Sequence, residues 1–333
     1  MISILPSAQI RRIAAIGFLV QLIAVGYCAG QPKAHAASLF TAIRSGSIDQ
    51  LRKEIANGAD VNDTLDGYSA LMAATLCGST DQVRELLDHG ANVNALCSDS
   101  IPALWFAVPD VEKTKLLLEH GADPNFKVQG YGVLVKAAAI PGTLDIFKLV
   151  REHGGDLKSM STDNYLLYNA AATGDTALVG YLLQSGFNVN DSISFGDYPI
   201  INAVQFRTFE TVKMLVEKGA KVDARHNVPL GLKAFNGFTA LMFAAVSNDK
   251  PSILYLLDHG ADPNARCTEG YTPLMLYEQA EEDDPQITMA FISHGAKPDN
   301  VAIDGTDALY YAKQKGRTAS VKILETYVNV SHQ

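Results

Sequence analysis

Short amphipathic runs recur along most of the chain, and each predicts a short helix. In Val83-Arg84-Glu85-Leu86-Leu87 the apolar residues return after three or four positions, which is the spacing of one buried helical face. A second apolar run, such as Ala240-Leu241-Met242-Phe243-Ala244-Ala245, follows most of the turns. The alternation of the two kinds of run predicts pairs of short helices through residues 37–330.

A five-residue phrase marks the end of each amphipathic run and gives the repeat its period. It reads Gly-Ala-Asp-x-Asn in its clear copies, for example Gly58-Ala59-Asp60-Val61-Asn62. Its eight copies lie 31 to 41 residues apart and begin at Gly58, Gly90, Gly121, Gly154, Gly186, Gly219, Gly260 and Gly295. A period of this length is typical of repeat proteins, in which one repeat cannot bury its apolar face alone and stacks on its neighbours.

The repeat resembles the ankyrin repeat, whose period is near 33 residues with a turn followed by two helices. Thr272-Pro273-Leu274 matches the Thr-Pro-Leu signature of that family, whereas the same slot reads Ser69-Ala70-Leu71 and Tyr198-Pro199-Ile200 in other repeats. The resemblance covers residues 37–330. It implies an all-α repeat solenoid of helix-turn-helix units with short β-hairpin-like fingers.

Nine repeats are expected, of which the first and the last act as caps. They lie at residues 37–62, 63–94, 95–125, 126–158, 159–190, 191–223, 224–264, 265–299 and 300–330, and residues 331–333 form a tail. One equivalent position in the first helices is expected to form a buried spine of leucines: Leu71, Leu104, Leu134, Leu167, Leu241, Leu274 and Leu309. Four basic residues are expected to give the last repeat a polar outer face: Lys313, Lys315, Arg317 and Lys322.

Residues 1–36 have the pattern of a secretory signal peptide of bacterial style. Arg11 and Arg12 precede an uncharged, largely apolar stretch over residues 13–32, and Ala34-His35-Ala36 is a small-x-small cleavage pattern. The stretch is also nearly long enough to remain as an N-terminal membrane anchor. Both interpretations export the rest of the chain to the periplasm or beyond, and no second apolar run of that length follows.

Composition narrows the classes of partner. The chain has 333 residues, 47% of them apolar and 19% charged, with a net charge of −9. This balance argues against disorder and against nucleic acid as the main partner. Three cysteines remain after residue 36, which is too few for a disulfide scaffold, and we expect them to be buried or half-buried structural residues.

No catalytic or cofactor-binding motif stands out. Five histidines occupy the slot just before the repeat glycine, and their position favours a bond to the last carbonyls of a helix over metal binding: His89, His120, His153, His259 and His294. An acidic run, Glu281-Glu282-Asp283-Asp284, is expected to form a solvated loop rather than a calcium site because EF-hand spacing is absent. We therefore predict no cofactor, no metal and no enzyme.

Ankyrin repeats hold partners with their hairpin tips and the inner face of their first helices, and the resemblance implies the same here. Four aromatic residues follow the turn glycine, with three acidic residues beside them: Tyr68, Tyr131, Phe238 and Tyr271, with Asp66, Asp99 and Glu269. Aromatic rings at half-exposed sites suit binding hot spots, and carboxylates beside them favour a basic or mixed partner surface. The alternative is that these rings pack beneath the next hairpin.

The 41-residue interval adds a candidate binding loop. It indicates an insertion of about eight residues, relative to the 33-residue period, within Ala224 to Asn236. Arg225 and Lys233 place positive charge there among apolar residues. Insertions on a rigid scaffold often carry binding residues, although lengthening a surface loop also costs little stability.

The sequence therefore predicts an exported, non-enzymatic module that binds a protein partner as a monomeric array. Exported bacterial proteins of this resemblance include companions of stress-protective enzymes and neutralisers of toxins. The alternatives are a membrane-tethered adaptor, resting on residues 13–32, and an enzyme with a dispersed site. No membrane contact is expected beyond the N-terminal segment.

Overall fold

The computed structural model describes residues 34–157, 165–193, 196–227, 235–280 and 282–331. These residues form eighteen short helices in nine consecutive pairs, together with two small hairpins. The chain divides into an N-terminal half, residues 1–162, and a C-terminal half, residues 163–333. In each pair the first helix is here named the inner helix and the second the outer helix.

Four helix pairs build the N-terminal half. The inner helices α1, α3 and α5 pack in order, as do the outer helices α2, α4, α6 and α8, so the pairs stack on one another. The pairs are α1 (Ala34–Ser45) with α2 (Ile48–Ala56), α3 (Ala70–Cys77) with α4 (Thr80–Asp88), α5 (Ala103–Ala107) with α6 (Val111–Glu119), and α7 (Val133–Ala138) with α8 (Leu144–Glu152).

Five helix pairs build the C-terminal half in the same way, with inner helices on inner helices and outer on outer. The pairs are α9 (Tyr165–Thr173) with α10 (Thr176–Gln184), α11 (Pro199–Gln205) with α12 (Phe209–Glu217), α13 (Ala240–Val246) with α14 (Lys250–Asp258), α15 (Pro273–Glu278) with α16 (Pro285–Ser293), and α17 (Ala308–Gln314) with α18 (Thr318–Ser331). The nine pairs confirm the all-α repeat fold that the period predicts.

The core lies between successive pairs. Six of the seven predicted spine leucines are buried, and Leu309 in the last repeat is half-buried. Leu86 and Leu87 of α4 are buried as well, so the repeated run of the outer helices supplies the second row of the core. Removing this apolar surface from water is what drives the stacking, because each pair alone leaves it exposed.

Polar residues start the inner helices where the sequence predicts caps. The hydroxyl oxygens of Ser69, Thr239 and Thr272 accept hydrogen bonds from the backbone N–H three residues later, which satisfies a donor that the first helical turn leaves unpaired. Helix α5 is only five residues long and ends before Pro109. The sequence predicts this truncation, because proline supplies no N–H to the helix ladder.

The segments between one outer helix and the next inner helix are here named fingers. They are residues 57–69, 89–102 and 120–132 in the N-terminal half, and 185–198, 218–239, 259–272 and 294–307 in the C-terminal half. Antiparallel strands β1 (Thr64–Leu65) and β2 (Tyr68–Ser69) pair in the first finger, and β3 (Lys127–Val128) and β4 (Tyr131–Gly132) pair in the third. Asp66 and Gly67 both have positive φ, as a two-residue type I′ turn requires.

The last repeat differs from the expected polar cap in one respect. Arg317 has no exposed surface, and its guanidinium pairs with Glu278 at 3.0 Å and donates to the carbonyl of Tyr277 at 2.6 Å. Lys313, Lys315 and Lys322 are exposed as expected. Residues 1–33, which hold the apolar stretch, lie outside the described residues, and within the described ones no helix is both long and apolar enough to cross a membrane.

Candidate functional site

The repeat asparagine fixes each finger to the next one. The Nδ2 of Asn94 donates to the carbonyl of Gly121 at 2.9 Å, and its Oδ1 accepts from the N–H of Asp123 at 2.9 Å. The same pair of bonds recurs at Asn62, Asn125, Asn190 and Asn264. This ladder explains why an asparagine closes the repeated phrase.

A second set of hydrogen bonds, which no sequence pattern indicated, joins helices of neighbouring repeats. The Nε2 of Gln82 donates to the carbonyl of Ala42, and the buried ammonium of Lys113 donates to the carbonyls of Thr75 and Gly78. In the C-terminal half, Asn202 donates to the carbonyl of Tyr168, and Thr208 to that of Ala171. Gln82, Lys113 and Thr208 thereby satisfy carbonyls that the short inner helices leave open at their C-terminal ends.

The five recurrent histidines cap outer helices, which confirms the structural interpretation. In each, Nδ1 lies 2.8 Å from the carbonyl four residues earlier, as in His89 with Glu85 and His259 with Tyr255. No group of three or more His, Cys, Asp or Glu side chains within the described ranges is placed to hold a metal ion.

In the fingers of the N-terminal half, the predicted acidic residues are exposed, whereas the predicted aromatic rings are buried or half-buried. Asp66 and Asp99 are exposed at finger tips. Tyr68 is only 7% exposed, and its ring lies 5.9 Å from that of Phe106 in the next inner helix. Tyr131 is half-buried. At Tyr68 the ring therefore packs against the next repeat, which is the alternative that the sequence left open.

The acidic excess of the N-terminal half is concentrated on its fingers. The fingers, with residues 153–157 included, carry six carboxylates and one lysine, whereas the other described residues of this half carry ten carboxylates and nine lysines or arginines. A nearly neutral helical frame thus supports an acidic edge. Charge of one sign gathered along one edge steers oppositely charged partners toward it.

In the C-terminal half, Tyr271 belongs to a hydrogen-bonded network at the ends of two fingers. Its hydroxyl donates to Oδ2 of Asp304 at 2.6 Å, and the hydroxyl of Tyr311 donates to that of Tyr271 at 3.4 Å. Thr306 donates from its hydroxyl and its backbone N–H to Oδ1 of Asp304. Hydrogen bonds from Thr306 and Tyr271 lower the pKa of Asp304, so its carboxylate stays ionised. Glu269 is half-buried at the neighbouring turn.

Exposed apolar side chains surround this network, and the sequence did not identify them. Ile303 is 78% exposed, Tyr310 49% and Val301 48%. The ring of Tyr310 meets that of Tyr311 edge-on, with centroids 5.3 Å apart. The signal in the sequence was an apolar finger tip, Val301-Ala302-Ile303, in a repeat that the basic residues marked as a cap.

The long finger 218–239 contains the remaining predicted residues. Phe238 is buried in an aromatic cluster with Phe235 and Phe243, at centroid distances of 5.2 and 5.3 Å. Arg225 is exposed, and its guanidinium donates to the carbonyls of Gly237 and Arg266. Lys233 lies outside the described residues. Arg225 thus links its own finger to the next one, in addition to any binding role.

A buried polar cluster holds the base of the same finger. Asp197 accepts a hydrogen bond from the hydroxyl of Tyr168 at 2.9 Å, and its Oδ1 lies 3.2 Å from Nδ1 of His226. Burial is the main cause that raises the pKa of Tyr168, with the charge of Asp197 adding to it. Asp197 replaces the aromatic residue of other repeats and joins three consecutive repeats through polar contacts.

Three residues of the acidic run, Glu282, Asp283 and Asp284, are bonded rather than freely solvated, and Glu281 lies outside the described residues. Glu282 accepts from Lys250 at 2.9 Å and from Asn248 at 2.8 Å, and Asp284 lies 2.9 Å from the same ammonium. Asp283 accepts hydrogen bonds from the first turn of α18, including one from the hydroxyl of Ser320. These contacts replace the expected solvated loop with one tied to two outer helices.

Two of the three described cysteines are buried and one is exposed. Cys97 and Cys267 are buried, as expected for structural residues. Cys77 is exposed, and its thiol donates to the carbonyl of Ala73 at 3.1 Å. The expectation of burial therefore holds for two of the three.

Comparison with known proteins agrees with this architecture. Three copies of the family model described as ankyrin repeats match residues 39–128, 134–226 and 241–332. The chain belongs to the ankyrin-repeat family. Ankyrin repeats are protein–protein interaction modules, which agrees with fingers that present charge and exposed apolar side chains.

Curated relatives match only part of the chain. It is similar to the ankyrin repeat, SAM and basic leucine zipper domain-containing protein 1 of Loxodonta africana, with 30% identity over 127 residues that cover 37% of this chain and 25% of that protein. It is also similar to alpha-latrocrustotoxin-Lt1a of Latrodectus tredecimguttatus, with 29% identity over 145 residues that cover 43% of this chain and 10% of the toxin. The chain thus spans a quarter or less of these relatives.

A solved structure shows the same fold. The crystal structure of the human ASB11 ankyrin repeat domain superposes with a TM-score of 0.58 and 24% identity, covering 69% of this chain and 100% of that one. At this level of identity the likeness extends to the fold alone.

Proposed function

We propose that this chain is an exported, non-enzymatic binding module that holds a protein partner on its fingers and inner helices. The observation that carries the proposal is the contrast between frame and fingers in the N-terminal half, where a nearly neutral helical stack presents an acidic edge. Hydrogen-bonded ladders hold that edge in place before a partner arrives. Such preorganisation reduces the entropy that binding must overcome.

The partner surface expected from this edge is basic or mixed. Asp66 and Asp99 are exposed and stand on turns that the asparagine ladder positions. Tyr131 adds a half-buried ring on the third finger. Tyr68 supports the neighbouring repeat through its contact with Phe106 and contributes to binding indirectly.

Affinity capture from an extract of the source organism tests the binding function. The variant D66K/D99K reverses two finger charges, and E119K/E152K reverses two charges at the C-terminal ends of outer helices, where the helix dipole favours cations. We expect the wild type and the outer-helix variant to capture the same protein and the finger variant to lose it. Equal capture by the finger variant contradicts a role for this edge.

Export is the second part of the proposal. It rests on Arg11 and Arg12, on the apolar stretch over residues 13–32, and on the pattern Ala34-His35-Ala36. N-terminal sequencing of the fractionated protein tests it. A start at Ala37, or at Gln31 after the second small-x-small pattern Cys28-Ala29-Gly30, supports cleavage. An intact Met1 in the membrane fraction supports the tethered adaptor. Full-length protein in the cytosol contradicts export.

The identity of the captured protein also assigns the biological role. A stress-protective enzyme supports a role as a periplasmic companion, and a toxin supports a neutralising role.

A further inference from the structure

The last described finger and inner helix carry three of the exposed large apolar side chains of the described residues. Eight large apolar side chains are exposed in the described residues, and Val301, Ile303 and Tyr310 lie within ten positions of one another. Together with the half-buried rings of Tyr271 and Tyr311 they form what we name the tyrosine patch. An exposed apolar group of this kind, next to polar groups, is typical of an interaction site.

Hydrogen bonds hold two rings of the tyrosine patch and the backbone of its finger tip in place. The carboxylate of Asp304 holds Tyr271, and the hydroxyls of Tyr271 and Tyr311 meet at 3.4 Å. The backbone N–H of Ile303 donates to the carbonyl of Glu269 at 3.0 Å, which fixes the finger tip against its neighbour. Tyrosine rings held in this way offer large contact area at a low cost in conformational entropy.

Charge around the patch is predominantly negative. The fingers 259–272 and 294–307 carry five carboxylates against two basic residues, Arg266 and Lys297: the carboxylates are Asp262, Glu269, Asp299, Asp304 and Asp307. Lys313 on the inner helix is paired with Glu325 at 2.8 Å. The Arg266 guanidinium donates to the carbonyl of Val301, so it braces the finger. A partner that approaches this surface meets apolar rings with carboxylates beside them, and complementarity favours a cation next to an apolar side chain.

We propose that the tyrosine patch binds a segment of a partner protein that carries a lysine or arginine beside a large apolar side chain. The inference rests on the proposed binding function and names its subsite and the chemistry of its ligand. The apolar side chain would lie against Ile303 and Tyr310, and the cation near Glu269 and Asp304. A second copy of this chain fits less well, because it would bring a net charge of −9 toward these carboxylates.

The test uses a defined probe, a random twelve-residue peptide library displayed on phage and selected on the full chain. Selected peptides are then synthesised and their affinities measured for the wild type, I303S, E269Q and the control L254S. Leu254 is a matched exposed apolar residue at 41% exposure on the outer helix α14. Because Ile303 is so exposed, I303S is expected to melt with the wild type.

The expected peptides carry Lys or Arg within two positions of a large apolar residue. I303S should weaken them about tenfold and E269Q less, whereas L254S should leave them unchanged. Acidic or charge-free consensus peptides, no specific peptide at all, or equal binding by I303S would each overturn the proposal. Self-association of the chain that I303S abolishes would overturn it as well, in favour of a second copy.

The outcomes separate this inference from the proposed function. If I303S loses the peptides' affinity while D66K/D99K retains it, the patch is an independent subsite. If the natural partner is captured equally by the wild type and I303S but lost by D66K/D99K, the binding function stands and the patch has no part in it.

Discussion

At the scale of single residues, the repeated phrase is a hydrogen-bonding device. An asparagine side chain donates to one backbone carbonyl and accepts from one backbone N–H of the next finger. Only asparagine and glutamine carry both groups on one planar amide, and asparagine is the shorter of the two. The sixth copy of the phrase breaks the pattern. Asp223 accepts from the N–H of Asp262 at 3.0 Å, but its carboxylate has no proton to donate toward Gly260.

We predict that D223N stabilises the protein. Partial desolvation is the main cause that raises the pKa of Asp223, with the charge of Asp262 adding to it, although the residue remains exposed. An amide at this position supplies the missing donor. One added hydrogen bond contributes about 1 kcal/mol. Urea unfolding should show a higher midpoint for D223N and a lower one for the matched change N190D, which removes the donor to Gly219. If the urea midpoints of D223N and N190D shifted equally in the same direction, the asparagine ladder would not be the cause of the change in stability.

Burial at a second position gives a prediction about the core. Leu86 has no exposed surface, so L86A should lower the free energy of unfolding by roughly 2–5 kcal/mol through lost apolar contact and the cavity left behind. L254A, at an exposed position, serves as the control and should change it by less than about 0.5 kcal/mol. If L86A lowered the free energy of unfolding as little as L254A does, Leu86 would not belong to the core between repeats.

At the scale of elements, the last two repeats are joined by a buried charge cluster rather than by apolar packing alone. Arg317 at the start of α18 contacts the carboxylate of Glu278 and stacks over the ring of Tyr277, with its guanidinium carbon 4.5 Å from the ring centroid. Thr288 of α16 donates to Glu278 at 2.7 Å. Three helices therefore share one polar centre, which favours a single docking geometry for α18.

The cluster predicts a pH dependence of stability. Burial raises the pKa of Glu278 to about 7 in the folded protein, so between its ordinary range and pH 7 the folded state binds more protons than the unfolded state. The free energy of unfolding attributable to this group therefore falls as pH rises toward 7 and above. E278Q lacks the titration, so its stability relative to the wild type should increase from pH 5 to pH 8.

Urea unfolding of both proteins at several pH values measures this difference. Other titrating groups are common to both proteins and cancel in the comparison. A difference that stays constant from pH 5 to pH 8 would show that Glu278 keeps an ordinary carboxylate titration in the fold.

The long finger 218–239 is expected to tolerate a deletion. The N–H of His226 donates to the carbonyl of Phe238, and the N–H of Gly237 to that of His226, so residues 226 and 237 already close a hairpin. Deleting 228–234 should leave the melting temperature nearly unchanged, because Asn227, Phe235 and Asn236 suffice as a connection. A matched variant, F235A, should lower it, because that ring packs on Phe238 and Phe243. A large loss on deletion would place residues 228–234 in the core.

At the scale of the whole molecule, the features that recur are the ones that the sequence predicts. The leucine spine, the histidine caps and the fingers each depend on contacts that every repeat makes in the same way, so periodicity alone identifies them. The exceptions depend on a neighbour. Tyr68 is buried because Phe106 follows it in the next repeat, whereas Tyr271 remains half-exposed and bonded to Asp304.

Arg317 illustrates the same limit for charged residues. Its sequence neighbours Lys313 and Lys315 suggest a solvated cap, but Glu278, thirty-nine positions earlier, pairs with it in the core. Likewise the exposed Ile303 looks like an ordinary apolar repeat residue until the packing around it is known. The periodicity of the sequence therefore predicts the helical frame. The binding surface depends on which individual side chains the neighbouring repeats leave exposed.

The most direct test is hydrogen exchange on the complex with the captured partner. It measures whether a preformed helical frame presents its fingers to a protein. We expect the amides of the outer helices α4, α6 and α14 to exchange at unchanged rates. We expect slower exchange in at least one of the fingers 57–69, 89–102, 120–132, 259–272 and 294–307. Protection confined to those outer helices, with the fingers exchanging as in the free protein, would contradict this expectation.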